Sequence, residues 1–120
     1  MSGKLALKRV YEDVAPGGGR RVLVERLWPR GVSKAAAHLD KWLKAVAPSH
    51  ELRKWFNHDP ERWDEFQARY RAELEGHPDE VRSLIEWWDE GDLTLVYAAA
   101  DTEHNAALAL FDYLTEVRSG

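Results

Sequence analysis

Two apolar runs constrain this chain most. Val22-Leu23-Val24 and Leu93-Thr94-Leu95-Val96-Tyr97-Ala98 are short, mostly apolar and bounded by turn-forming or charged residues. Each reads as a buried strand, because neither alternates strictly between apolar and polar residues. A long stretch of helical pattern separates them. A crossover of that length suits parallel pairing with a right-handed connection. A third strand pattern over residues 5–11 alternates in part, with Leu5 and Leu7 on one face. The expected fold is therefore α/β: a small, mostly parallel sheet of about three strands packed with about five helices.

The helices are read from period and punctuation. Ser33 caps a helix predicted over 34–47, with Leu39, Trp42, Leu43 and Val46 at i, i+3, i+4, i+7. Pro48 ends it, and Ser49 caps a short helix that turns Leu52, Trp55 and Phe56 inward. Asp59 before Pro60 marks the next start, a carboxylate cap followed by proline at the first helical position. Trp63, Phe66, Tyr70 and Leu74 form the inner face of that helix. Glu65 with Arg69, and Arg69 with Glu73, are expected as i,i+4 pairs on its wet side. Val81, Leu84, Ile85 and Trp88 mark a helix over 79–90 that Gly91 stops. The last helix is predicted over 104–118, after a cap at Asp101 or Thr102. Pro16-Gly17-Gly18-Gly19 reads as a connector. It is no Walker loop, since Arg20-Arg21 opens a strand and no Gly-Lys-Ser/Thr opens a helix.

Composition narrows the function classes. At 120 residues the chain is expected to be one domain, 1–120, able to bury a core without staples. It has no cysteine, which excludes thiol catalysis, thiolate metal sites and disulfides, and fits a cytoplasmic setting. No signal-peptide pattern opens it, and no apolar run reaches spanning length, so no membrane association is expected. The formal net charge of -4 disfavours a nucleic-acid partner held by a bulk basic field.

The candidate site follows from topology. If the two buried strands are parallel, their carboxyl ends share one rim, where open α/β sheets bind ligands. The Arg26–Gly31 loop leaves one end, and residues 97–105 leave the other. Arg26, Arg30 and Lys34 would hold an anion. Trp28 and Tyr97 would wall the site, with Asn105 beside them. Asp101 and His104 are the candidate acid/base pair of a hydrolase or lyase. His58 and Asp59 are candidate supporting residues. Each has a structural alternative: Arg26 and Arg30 as buried ion-pair partners, Trp28 as a packed anchor, Asp59 and Asp101 as helix caps. No metal is expected, because His58, Asp59, Asp101 and His104 do not have the spacing of a metal motif.

The motifs also carry a resemblance. Residues 21–31, reading Arg-Val-Leu-Val-Glu-Arg-Leu-Trp-Pro-Arg-Gly, are followed by Ala47-Pro48-Ser49. Then come Leu52-Arg53-Lys54-Trp55-Phe56-Asn57-His58-Asp59-Pro60, Arg69-Tyr70, and Tyr97-Ala98-Ala99-Ala100-Asp101 with His104-Asn105. In this order they resemble the YeaO-like family of small bacterial and archaeal domains of unknown function. The resemblance spans nearly the whole chain. It implies a single α/β domain in the cytoplasm, and brings no cofactor and no assigned activity. The family pattern often has Asp at position 25 and Lys at position 100, where this chain has Glu25 and Ala100.

Three classes of function are thus in play. The first is an enzyme or sensor for a small phosphate- or carboxylate-bearing, nucleotide-like ligand. The second is a nucleic-acid module, and the third a regulatory protein-interaction module. Trp87, off the apolar face of its helix, is the first candidate contact for the third. No pattern in the chain specifies an oligomeric state.

Overall fold

The computed structural model describes residues 3–12 and 19–119. The connector residues Pro16, Gly17 and Gly18 lie outside them. Among the described residues four strands form one sheet: β1 (Leu5–Arg9), β2 (Arg20–Leu23), β3 (Lys41–Trp42) and β4 (Leu93–Tyr97), in the order β1-β4-β2-β3. All pairings are parallel, as the length of the crossovers requires. Gly19 enters β2 at φ +76, and a Cβ there would stand 2.4 Å from the Asp92 carbonyl oxygen. The glycine lets β2 start flush against the segment leading into β4.

The expected helix over 34–47 is not formed. Helix α1 covers only Lys34–Ala37, capped by the Ser33 hydroxyl. His38 then turns left-handed at φ 50, and the chain runs on as β3 and a 3-10 turn at Lys44–Val46. The cause is the open edge of β2. Asp40 N–H donates to the Arg21 carbonyl at 2.8 Å, and Arg21 N–H donates to the Asp40 carboxylate at 2.8 Å. The Arg21 side chain donates to the carbonyls of His38 and Ala37, both at 3.1 Å, and so satisfies the end of α1. Burial lowers the Arg21 pKa, and the Asp40 carboxylate partly offsets that effect. Strand pairing and a buried guanidinium outweigh a helical apolar period.

The remaining helices are α2 (His50–Phe56), α3 (Trp63–Glu75), α4 (Pro78–Glu90) and α5 (Ala106–Ser119), with a 3-10 turn at Pro60–Arg62 before α3. Ser49 caps α2 and Asp59 caps the 3-10 turn, each through its side-chain oxygen. On one sheet face Val22, Val24, Leu93, Leu95 and Tyr97 meet Phe66, Tyr70, Leu84, Leu110 and Leu114. On the other, Leu23 and Val96 meet Val10 and Ala37, with Trp28 and Trp42 packed over them. This alternation is the two-residue period of a strand covered on both sides. The pair expected between Glu65 and Arg69 is present. Glu73 is not paired with Arg69 on the wet side. It turns inward to the head of α2, where it accepts from the Ser49 N–H at 2.7 Å and the hydroxyl at 2.5 Å. Among the described residues, no helix is long and apolar enough to cross a membrane.

Candidate functional site

A cavity of about 120 Å³ lies where the carboxyl ends of β2 and β4 meet α2 and the start of α5. Glu25 and Ala99 come from beyond the strand ends, Arg53 and Phe56 from α2, and His104 and Asn105 from the turn before α5. The exposed His58 completes one wall and marks the side open to solvent. Phe66 contributes an apolar wall, stacked on Phe56 at 4.3 Å between ring centroids.

Each charged wall residue has a distinct situation. Glu25 Oε1 accepts from the Ala98 N–H at 3.1 Å, which ties the end of β2 to the end of β4. The Arg53 guanidinium makes no hydrogen bond or ion pair among the described residues, although its residue is only partly exposed. His104 is fixed on two sides. Its Nδ1 is 3.1 Å from Asp101 Oδ2, and its ring stands edge-on to Trp63 at 5.5 Å. Asp101 Oδ1 accepts from the N–H groups of Glu103 at 2.9 Å and His104 at 3.0 Å. These bonds hold the Asp101 carboxyl below its ordinary range, the Glu103 N–H contributing most and partial desolvation opposing it.

His58 is held by an uncommon backbone. Asn57 and His58 both have positive φ, 48 and 54, in the left-handed region that non-glycine residues seldom occupy. Asn57 ends α2 in this conformation, and His58 extends it toward the cavity.

The predicted site residues divide into two groups. His104, Asn105 and His58 line the cavity. Asn105 is buried with its amide engaged inside the turn: Nδ2 donates to the Asp101 carbonyl at 2.9 Å, and Oδ1 accepts from the Leu108 N–H at 2.8 Å. That is the geometry of an N-cap for α5. Arg26 sits behind the wall, donating to the carbonyls of Pro48 at 3.2 Å and Ala47 at 3.4 Å. Pro48 is itself a lining residue, so Arg26 braces the cavity from outside. Asp59 accepts from the Glu61 N–H at 3.0 Å and lies 3.7 Å from the Arg62 guanidinium.

Trp28, Arg30, Lys34 and Tyr97 do not line this cavity. Trp28 packs on the opposite sheet face, edge-on to Trp42 at 5.3 Å, and donates to the Val32 carbonyl at 2.6 Å. Arg30 and Lys34 are exposed, and the Arg30 carbonyl accepts from the Tyr11 hydroxyl at 3.1 Å. Tyr97 is buried in the main core, which raises its pKa, chiefly through desolvation. Trp87 is half-buried against the main core, with the Arg20 guanidinium 5.2 Å from its ring centroid.

Arg53 and Glu25 line the cavity without belonging to any motif that marks the rim in the sequence. A signal for Arg53 existed. It follows Leu52 and precedes Phe56 by three, so it shares the inward face of α2, where a cation needs a reason.

The class defined here is a small parallel α/β domain with a charged cavity at the strand rim. The chain belongs to the family described as the inactive DUF488-N3 subclade, whose family model matches residues 4–119. It is 43% identical to the uncharacterized protein YeaO of Escherichia coli over 107 residues, covering 89% of this chain and 93% of that protein. It is also 52% identical over 71 residues to uncharacterized proteins of Mycobacterium tuberculosis and Mycobacterium bovis. Those matches cover 59% of this chain and 60% of each mycobacterial protein. No solved structure matches the chain.

Proposed function

We propose that this chain is a cytoplasmic binding domain for a small carboxylate- or phosphate-bearing molecule, which it holds at the strand rim without turnover. The observation that carries this reading is the Arg53 guanidinium: it lines a cavity and has no partner among the described residues. A forked cation left unpaired beside apolar walls is suited to an oxyanion. Cavity size argues for a ligand smaller than a nucleotide. An engineered cavity of about 150 Å³ accommodates benzene, and this one is about 120 Å³. The description of the family as inactive favours binding over catalysis. The absence of cysteine supports the cytoplasmic setting.

A second reading rests on the Asp101–His104 contact of 3.1 Å. An imidazole oriented by a carboxylate at a cavity wall is the arrangement of a proton-transfer pair, suited to a hydrolase or lyase. Nucleic acid remains the less favoured partner at a net charge of -4.

Calorimetric titration with propionate and with inorganic phosphate tests the first reading. Saturable binding of either, lost in Arg53→Gln, is expected. Absence of binding by both, with no response to Arg53→Gln, refutes it. Turnover of a carboxylate or phosphate ester that disappears in His104→Gln would establish the second reading instead.

A further inference from the structure

We infer that the ligand of this cavity is a small zwitterion, with its carboxylate on Arg53 and its ammonium on Glu25. The inference rests on the binding reading above and narrows it to one chemical class. Arg53 and Glu25 line the same cavity, one cation and one anion, yet they form no ion pair with each other. Opposite charges that share a wall and do not touch leave room for a molecule carrying both complementary charges.

Glu25 has the capacity for this. One carboxylate oxygen accepts from the Ala98 N–H, and no hydrogen bond to the second is present among the described residues. An ionised carboxylate offers two oxygens and about four acceptor sites, so capacity remains after that bond. A simple anion would gain from Arg53 but meet the negative Glu25. A zwitterion turns that repulsion into a second charge-assisted hydrogen bond.

Volume sets the size. About 120 Å³ suits a molecule of roughly the bulk of a small α-amino acid, by comparison with the benzene-sized cavity cited above. Phe56 and Phe66 supply an apolar wall for its carbon skeleton.

The test compares L-alanine with propionate, which lacks only the α-ammonium, and with ethylamine, which lacks the carboxylate. Dissociation constants are measured on the whole protein by calorimetry and by NMR. L-alanine is expected to bind at least about tenfold more tightly than either. Glu25→Gln keeps an acceptor for the Ala98 N–H and should erase the advantage of alanine over propionate, while Arg53→Gln should weaken both. Propionate or phosphate binding as tightly as alanine in the wild type overturns the zwitterion inference and leaves the anion reading standing. No binding by any of these probes, with no dependence on Arg53, overturns both. If Glu25→Gln does not fold, the wild-type ranking of the three probes decides the matter alone.

Discussion

Glu73 on α3 holds Ser49 at the head of α2 through two hydrogen bonds, one to the backbone N–H and one to the hydroxyl. The same hydroxyl oxygen accepts from the Leu52 N–H at 3.1 Å, so one carboxylate anchors the first turn of α2. That turn carries Arg53 and leads to Phe56, both in the cavity wall. Glu73→Ala removes both bonds and leaves a half-buried N–H without its partner. A loss of about 1–3 kcal/mol in unfolding free energy is expected, read by urea denaturation. Anion affinity at Arg53 should fall as well, since the helix that presents it loosens.

Arg53 and Arg30 separate function from surface charge. Arg53→Gln should leave thermal stability nearly unchanged and weaken anion binding at least about tenfold. Arg30 is exposed, and among the described residues only its backbone carbonyl is engaged. Arg30→Ala should change stability by less than about 0.5 kcal/mol and leave binding intact. The pair of titrations checks both statements on the same probes.

Asp101 makes stability depend on acid pH. Its carboxyl lies below the ordinary range in the folded chain, held there first by the Glu103 N–H and then by His104. Unfolding restores the ordinary value of about 3.9, so the unfolded chain binds more protons in acid. The stabilisation is therefore present above that value and disappears as pH falls through the depressed one. Wild type should be more stable than Asp101→Asn at pH 7, and the gap should close below about pH 4. Urea melts at pH 7, 4 and 3 provide the comparison.

Tyr70 makes stability depend on alkaline pH in the opposite sense. It is fully buried, and its hydroxyl donates to the Val46 carbonyl. Its pKa is raised, first by desolvation and then by the nearby carboxylates of Glu25 and Glu73. The folded chain keeps the proton after the unfolded chain has released it. This contribution is complete below about pH 10 and erodes as pH rises beyond it. Tyr70→Phe should cost about 1–3 kcal/mol at pH 7, because the Val46 carbonyl loses its donor. It should also blunt alkaline unfolding, which circular dichroism between pH 9 and 12 would follow.

The sequence was legible where one force dominates. The buried runs at Val22–Val24 and Leu93–Tyr97, the caps at Ser33, Ser49 and Asp59, and the parallel crossover all follow from local pattern plus topology. It was misleading at Leu39, Trp42, Leu43 and Val46, whose helical spacing is coincidental. Long-range pairing of Lys41–Trp42 with Val22–Leu23 decides that segment. Of the rim, the His104–Asn105 turn was legible because it leaves a strand end. Arg30 and Lys34 looked equivalent to it, but which sheet face a loop turns toward depends on packing that no single loop encodes. Trp28 seats that loop on the far face. Arg53 was obscured by Lys54 beside it, since two adjacent cations on a short helix read as a solvated side.

The strand order has a consequence for how this protein is made. β4 occupies the middle of the sheet, between β1 and β2, yet it leaves the ribosome after the other three described strands. At about 5–20 residues per second, roughly 4–15 s pass between completion of β2 and completion of β4. Throughout that interval the nascent chain carries two unsatisfied ladders with apolar faces, the situation that invites misassembly. Synthesis rate and chaperone occupancy over the helical middle of the message should therefore govern yield more strongly than the stability of the finished domain.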